Sequence, residues 1–140
     1  MTGLSLPLQF RGGFTLPDAR HGAYLQAVGG GHPVHNLREL ALRAGFTDVP
    51  LAGIHVLGAA MAAFTAQFAD NPVQLLKVET KFLRPAYPGE SFELALERLD
   101  SEAVAGTSFV AGRYRGYCSN AQAHQVLMLD FKIRVAPAQD

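Results

Sequence analysis

Residues 53–68 read GIHVLGAAMAAFTAQF and contain no charged side chain. A helix that is apolar on nearly every face must be surrounded by protein, because an exposed side would leave apolar area in water. The many small residues of this segment would let β-strands approach the helix axis closely. The segment therefore predicts a central helix that is wrapped by a sheet.

The strands of that sheet are predicted before and after the helix. From residue 76 to 82 and from 92 to 97, apolar and charged residues alternate, as in half-buried antiparallel strands. Residues 104–118 and 123–135 supply two longer strands, and residues 6–16 supply one before the helix, with a bulge or close backbone approach at Gly12-Gly13. The order of elements predicts an α+β domain, in which one curved antiparallel sheet of about five strands packs on the helix.

Two short helices are predicted between the first strand and the central helix. The first runs from Pro17-Asp18 to about Val28 and ends at three consecutive glycines, with Ala23, Tyr24, Ala27 and Val28 on one side. The second covers residues 37–44, where Asn36 and Glu39 have the spacing of a capping box. His35 would thus be held immediately before a helix start.

Composition limits the class of protein. The 140 residues fit one domain, 1–140, and 49% of them are hydrophobic, which excludes a disordered chain. Twelve basic and twelve acidic residues give a formal net charge of zero. Partners such as nucleic acid or an anionic membrane need a concentrated basic face, and this sequence shows none.

The single cysteine, Cys118, has no partner for an internal disulfide and no companions at metal-ligand spacing. We expect a buried or half-buried strand residue there and no metal site. Residues 1–8 lack the basic region and long apolar run of a secretory signal, and the longest apolar segment is too short to span a bilayer comfortably. These features predict a cytoplasmic protein.

Three motifs, taken with their order and spacing, resemble the MaoC-like hot-dog family. Residues 32–35 read HPVH where that family has Asn-Pro-Ile-His, and residues 52–54 read AGI where it often has His-Gly-Met. Residues 82–89, FLRPAYPG, are similar to the strand-turn signature Phe-x-x-Pro-Val-x-x-Gly. The resemblance extends from about residue 6 to residue 135.

The resemblance implies a hot-dog fold and an acyl-thioester ligand. Members include (R)-specific enoyl-CoA hydratases and 3-hydroxyacyl dehydratases, which are lyases of fatty acid metabolism. It implies no cofactor beyond the substrate's own carrier, coenzyme A or the phosphopantetheine of an acyl carrier. It also implies a homodimer, or a heteromer with another hot-dog chain, because hot-dog domains pair edge strands.

The same resemblance assigns catalytic roles. His35 matches the family's general acid/base histidine, and Gly30 stands where the family has a catalytic aspartate. If both groups are needed, the loss of one removes about a hundredfold or more of the acid/base contribution. His32 is a candidate for the second titrating group, and the alternative is a histidine of a solvent-facing loop.

Gly53 matches the glycine whose N–H, in the first turn of the buried helix, would hydrogen-bond the thioester carbonyl. The alternative is a glycine needed only for close packing of helix and sheet. His55 and Ile54 are predicted to line the acyl tunnel, although a buried histidine more often bonds a backbone carbonyl inside the core.

Arg113 and Arg115 share one face of a predicted strand and are candidates for binding phosphates of the carrier, or are ordinary exposed charges. Three functions remain open: a lyase, a non-catalytic partner subunit or acyl-binding protein, and a thioesterase. Hot-dog thioesterases usually place Asp or Glu on or beside the central helix, and residues 53–68 contain neither. The sequence therefore favours the lyase and disfavours the thioesterase.

Overall fold

A computed structural model describes residues 4–138 as a five-stranded antiparallel sheet with three α-helices between its first and second strands. The elements are β1 Gln9–Thr15, α1 Asp18–Ala27, α2 Arg38–Arg43, α3 Gly53–Thr65, β2 Val73–Phe82, β3 Ser91–Ala103, β4 Val110–Asn120 and β5 Gln125–Val135. The strand order is β1-β3-β4-β5-β2, so the two strands flanking the helices form the two edges. This arrangement confirms the predicted α+β hot-dog architecture.

Helix α3 packs its buried face on the sheet. That face consists of residues four apart in sequence, Val56, Ala60 and Phe64, and continues into a 3₁₀ turn at Phe68. The Phe64 ring is the centre of an aromatic cluster, with its centroid 4.8 Å from that of Tyr114 and 5.3 Å from those of Phe10 and Phe131. Edge-to-face rings at such distances add to the stabilisation that burial provides.

The enclosure of α3 is incomplete within the single chain. The side of the helix away from the sheet exposes Ile54, Gly58 and Ala62, and Ile54 retains 60% of its accessible surface. The sheet therefore covers one side of the helix and part of its flanks, and a strip of apolar surface is left outside.

Strand pairing places small residues where the backbones come close. Strand β1 pairs with β3 without any shift of register through Gly12-Gly13, so the bulge predicted there does not form. The close approach at this site comes instead from the Phe10 ring, which lies 2.7 Å from the position that a Cβ on Gly12 would take. On β4, a Cβ on Gly116 would overlap the carbonyl oxygen of Ala95, so glycine is needed for β3 and β4 to pair at that point.

The short helices differ from their predictions in detail. The inward face of α1 is His21 and Leu25, whereas Ala23, Ala27 and Val28 are exposed and Tyr24 is half-buried. The predicted inward face of α1 was wrong, because it contained only apolar residues and tyrosine and did not include the buried His21.

The capping box is also absent, because Asn36 ends a one-turn 3₁₀ helix, Pro33–His35, instead of starting α2. The Asn36 side-chain amide donates to the carbonyl oxygen of Gly30 at 3.4 Å. Helix α2 begins at Arg38 and has no side-chain cap, and Gly45 follows its end with a φ of +96°.

The two remaining predictions about burial have different outcomes. Cys118 lies on β4 with its side chain buried, as predicted, and burial raises the pKa of its thiol to about 12. Edge strand β2 was predicted to be half-buried, but it leaves apolar side chains uncovered: Leu75, Leu76, Val78 and Phe82 are 36–53% exposed.

Within residues 4–138, no helix is both long enough and apolar enough to cross a membrane.

Candidate active site

An apolar cleft of about 430 Å³ opens at the amino-terminal end of α3. Its walls come from the segment before α3, the first turn of α3, the end of β2 with the turn after it, and the start of β5. The residues that line it are His35, Phe46, Pro50, Leu51, Gly53, Ile54, Val56, Phe82, Leu83, Arg84, Pro85, Ala86, Val126 and Leu127. A cleft of this size and composition suits a small, mostly apolar ligand.

His35 is the titratable imidazole of this cleft. Its Nδ1 lies 3.0 Å from the carbonyl oxygen of Pro50. Because a carbonyl can only accept, Nδ1 must carry the proton, and the neutral ring then has its lone pair on Nε2. No group among residues 4–138 hydrogen-bonds that Nε2, so a neutral His35 can accept a proton from a ligand or from water.

Helix α3 supplies hydrogen-bond donors at the same place. The first amides of a helix have no partner inside it. The N–H of Leu51 is bonded to the carbonyl oxygen of Ala86 at 2.7 Å, and the N–H of Ala52 to the Nε2 of His21 at 3.0 Å. The next two amides, those of Gly53 and Ile54, meet no acceptor in the described part of the chain, so the free donors of the helix begin at Gly53.

Gly53 also has a packing reason to be glycine. A Cβ on this residue would collide with the ring of Phe82, which lies against it at the end of β2. The two roles considered for Gly53 are therefore compatible: the missing side chain lets Phe82 close over the helix start, and the amide stays available to the cleft.

Beside the cleft, three histidines and one tyrosine cluster around the helix start. The ring of His55 is nearly parallel to that of Tyr24, with centroids 4.3 Å apart, and to that of His21 at 5.4 Å. The ring of His35 stands edge-on to that of His21 at 6.4 Å. Burial, followed by the neighbouring His55 and His35, lowers the pKa of His21, and burial, followed by Arg20, lowers the pKa of His55.

His21 is the site residue that the sequence analysis missed, with 2% of its surface exposed. The available signal was its spacing of four residues from Leu25 on α1, which puts both side chains on one helix face. The predicted buried face of α1 did not include His21, because a histidine does not count as apolar in a hydrophobic pattern.

The other histidine candidates lie outside the cleft. His55 faces α1, across the first turn of α3 from the cleft, and its Nδ1 is buried without a hydrogen-bond partner among residues 4–138. His32 is exposed, and its Nδ1 accepts the N–H of Val34 at 3.1 Å, which caps the 3₁₀ turn. The structure thus brings His35, Gly53 and Ile54 together, but not His32 or His55.

No carboxylate is among the residues that line the cleft. Gly30 has a φ of +97°, and Asp48 is paired with Arg38, whose Nη1 lies 2.6 Å from its Oδ1. Among the residues that line the cleft, no acid therefore takes the role that the resemblance assigns to an aspartate at the Gly30 position.

Arg113 and Arg115 lie on the face of the sheet away from α3. Arg113 donates two hydrogen bonds to Asp130, at 2.9 and 2.7 Å, and this pairing lowers the pKa of Asp130. Arg115 approaches the same carboxylate at 3.4 Å. Their proposed contact with carrier phosphates stays a prediction.

The arginine at the cleft is Arg84, whose Nη1 donates to the carbonyl oxygen of Gln125 at 2.8 Å. The sequence signal that could have identified Arg84 as a cleft residue was its place in the FLRPAYPG motif.

Comparison with known proteins finds a relative by sequence. The chain is 39% identical over 100 residues to peroxisomal multifunctional enzyme type 2 of Drosophila melanogaster. The matched region is 66% of this chain but only 17% of that enzyme. No protein-family model matches the chain.

Solved structures share the fold over nearly the whole chain. The (R)-hydratase from A. caviae involved in PHA biosynthesis superposes with a TM-score of 0.76 at 12% identity, covering 98% of this chain and 100% of that one. A MaoC-like dehydratase from Rhodospirillum rubrum gives 0.76 at 16% identity, covering 98% and 95%. The C-terminally truncated HadBC complex from Mycobacterium tuberculosis, a 3R-hydroxyacyl-ACP dehydratase, gives 0.76 at 16% identity, covering 94% and 99%.

The structural neighbours establish the fold, and the sequence relative and the three motifs agree with it. The chain therefore has the fold of a MaoC-like dehydratase and of an (R)-hydratase, and its sequence is similar to a part of peroxisomal multifunctional enzyme type 2.

Proposed function

We propose that this chain binds an acyl thioester in the apolar cleft and hydrates a 2-enoyl thioester, or runs the reverse dehydration, with His35 as the proton-transfer group. One observation supports this proposal above the others. The tautomer of His35 that Pro50 selects has a free lone pair on Nε2, and the same cleft is lined by Gly53, whose amide is unpaired among the described residues.

The reaction needs only one imidazole if both proton transfers occur on the same face of the substrate. Nε2 of His35 takes a proton from water while the water oxygen bonds to C3 of the enoyl group. The electrons of the C2–C3 double bond move toward the thioester, whose oxygen gains negative charge and accepts a hydrogen bond from the Gly53 N–H. The imidazolium then returns its proton to C2, which completes the 3-hydroxyacyl thioester and restores the neutral ring.

The amino-terminal end of α3 would stabilise the negative charge that develops on the thioester oxygen. The amides of the first turn carry the positive end of the dipole of α3, which spans 13 residues. The residues that line the cleft are mostly apolar, and an oxyanion interacts more strongly with a fixed donor where the surroundings are less polar.

The test is the hydration of crotonyl-CoA, followed by loss of the enoyl absorbance. We expect turnover by the wild-type chain and a loss of about a hundredfold or more in His35→Ala. His32→Ala is the matched comparison, because that imidazole is in the same loop but outside the cleft. If His32→Ala lost as much activity as His35→Ala, His32 would be the second titrating group; if folded wild-type protein gave no turnover, the lyase proposal would be wrong.

A second candidate function is a non-catalytic subunit that binds the acyl thioester. The absence of a carboxylate from the cleft-lining residues, together with Gly30 at the aspartate position, favours it. It predicts saturable binding of crotonyl-CoA in isothermal calorimetry without turnover.

A thioesterase would instead release free thiol from acyl-CoA. The absence of a carboxylate from the cleft-lining residues makes thioesterase the least supported function.

We also propose that the chain pairs with a second hot-dog chain, a copy of itself or another protein, along β2. The uncovered apolar residues Leu75, Leu76, Val78 and Phe82 lie on this edge strand, and an unpaired apolar edge is an aggregation hazard. HadBC, one of the structural neighbours, is itself a complex.

Sedimentation velocity at micromolar concentration tests the pairing. We expect twice the mass of one chain, and a shift to the single-chain mass in Val78→Lys. A wild-type protein that sediments as one chain, with no partner recovered on co-expression with a candidate hot-dog chain, would contradict the pairing.

A further inference from the structure

His21 is the most buried histidine in the described part of the chain, and it contacts the helix start directly. With 2% of its surface exposed, it lies on α1 and accepts the N–H of Ala52 at its Nε2, 3.0 Å away. Ala52 is the residue immediately before the first turn of α3. The imidazole thus connects α1 to the peptide unit that precedes the free amide of Gly53.

This hydrogen bond determines the protonation of the ring. An N–H can donate only to an unprotonated nitrogen, so Nε2 carries the lone pair and the single ring proton is on Nδ1. A second proton would have to go on Nε2, where it would face the Ala52 N–H. The contact would then change from attraction to repulsion, and the buried amide would lose its acceptor.

We propose that His21 is a positioning residue of this site: its neutral imidazole holds the Ala52 peptide, and through it the Gly53 amide, in the place that the thioester oxygen requires. Protonation of His21 releases that peptide. The inference rests on the proposed function for its catalytic consequence, whereas its structural part is independent of any activity.

Most of the influences on His21 keep it neutral. His55 and His35 face it at 5.4 and 6.4 Å, and a proton on any one of the three rings opposes a proton on the others. Asp18, on the same helix, favours the charged form, Arg20 opposes the charging of His55, and Tyr24 stacks on His55. Burial and the histidine neighbours outweigh Asp18, since the pKa of His21 is lowered in sum.

The structural part is tested on the wild-type chain by long-range ¹H–¹⁵N NMR of the imidazoles. We expect His21 as the Nδ1–H tautomer, and a single acid transition in which its protonation and the amide shifts of Ala52 and Gly53 change together. An Nε2–H tautomer, or amides that do not respond when His21 titrates, would overturn the proposal even if the protein were fully active.

The catalytic part is tested with two substitutions. His21→Gln keeps an acceptor near the Nε2 position and cannot be charged, whereas His21→Leu removes the acceptor. For crotonyl-CoA hydration we expect His21→Leu to lower kcat about tenfold or more with KM changed less than threefold, since the lost contact aims an amide and does not bind the acyl chain. His21→Gln should recover most of that loss.

The pH profile separates positioning from a purely structural role. Because protonation of His21 should remove activity in addition to any other acid inactivation, log(kcat/KM) should fall more steeply at acid pH in the wild type than in His21→Gln. His124→Gln, an exposed histidine in the turn between β4 and β5, is the matched control and should keep the wild-type slope.

The outcomes of these experiments are distinguishable from those of the proposed function. If the wild type fails to turn over but the NMR coupling is present, the lyase proposal fails and the positioning contact stands. If turnover is present but His21→Leu retains the wild-type kcat, or His21→Gln keeps the steeper slope, the positioning role is refuted. If His21→Leu does not fold, the NMR titration and His21→Gln still decide the question.

Discussion

The two ends of α3 are embedded in different chemistry. Its carboxyl-terminal half packs Ala60 and Phe64 against aromatic rings of the sheet. Its amino-terminal turn is surrounded by imidazoles, with His21 and His35 each engaged to a backbone group by one ring nitrogen. One apolar helix therefore serves two purposes. Its carboxyl-terminal half, the far end, contributes stability through burial. Its amino-terminal turn, the near end, holds polar rings in hydrogen-bonded positions.

The difference has an energetic consequence. Apolar contacts are non-directional, so a change at the far end alters stability in proportion to the volume removed. Hydrogen bonds are directional, and a change at the near end leaves a buried amide unpaired or misplaced. Substitutions at the two ends should therefore separate stability from activity.

The largest effect is expected at the far end. Phe64→Ala should lower the free energy of unfolding by about 3–5 kcal/mol, because the ring is fully buried and leaves a cavity among Phe10, Tyr114 and Phe131. Urea denaturation measures the change. Tyr117→Ala, on the other face of the sheet and 41% exposed, is the control and should change it by only about 0.5 kcal/mol. Similar losses in both variants would mean that Phe64 is not the centre of the core.

At the near end, Gly53→Ala should reduce activity more than stability. The added methyl group meets the Phe82 ring, which must move and reshape the cleft, while alanine favours the helix by about 1 kcal/mol. We expect kcat/KM for crotonyl-CoA to fall about tenfold, or about 1.4 kcal/mol of transition-state stabilisation.

Gly58→Ala provides the matched control within the same helix, because a Cβ there meets nothing within 4 Å. It should raise the melting temperature slightly and leave kcat/KM unchanged. Equal effects of the two substitutions on kcat/KM would show that the helix start is not part of the site.

Acid should weaken the near end before the far end. The pKa values of His21 and His55 lie below the ordinary value of 6.5, so the unfolded chain binds protons that the folded chain rejects. Their contribution to stability is complete above about pH 6.5 and is lost as pH falls through the lowered values. Urea denaturation from pH 8 to 5 should show the decline, and His21→Gln should make it shallower. A wild-type stability that is constant over this range would contradict the neutral cluster.

The smallest effect is expected from the arginines. Arg84 lines the cleft, whereas Arg113 is paired with Asp130 on the other face of the sheet. Arg84→Ala should raise KM for crotonyl-CoA about threefold, as expected for one exposed charge near a phosphate. KM for the crotonyl thioester of N-acetylcysteamine, which has no phosphate, should not change. If Arg113→Ala raised KM for crotonyl-CoA instead, the original assignment of Arg113 to the carrier phosphates would be correct.

Much of the fold could be predicted from residue order. The uncharged helix, the alternating strands and the glycine after α2 are local patterns, and they indicate respectively a buried helix, strands of a sheet and the end of a helix. Asn36 shows the limit of this reasoning: its spacing to Glu39 suits a cap, but its amide is used by Gly30, and a preceding 3₁₀ turn occupies the position. One residue can fit more than one local pattern, and which pattern forms depends on contacts with residues outside the pattern.

Residue order alone was enough for the α+β layout, which follows from periodicity. The hot-dog fold, His35 and Gly53 as candidates, and the missing acid at Gly30 are what the resemblance carried by three short motifs implies. The tertiary structure decided that His21 joins them and that His32, His55, Arg113 and Arg115 lie elsewhere. The contact between His21 and Ala52 joins residues that are 31 positions apart in sequence. It depends on the angle at which α1 crosses the start of α3, which is an outcome of packing the whole chain.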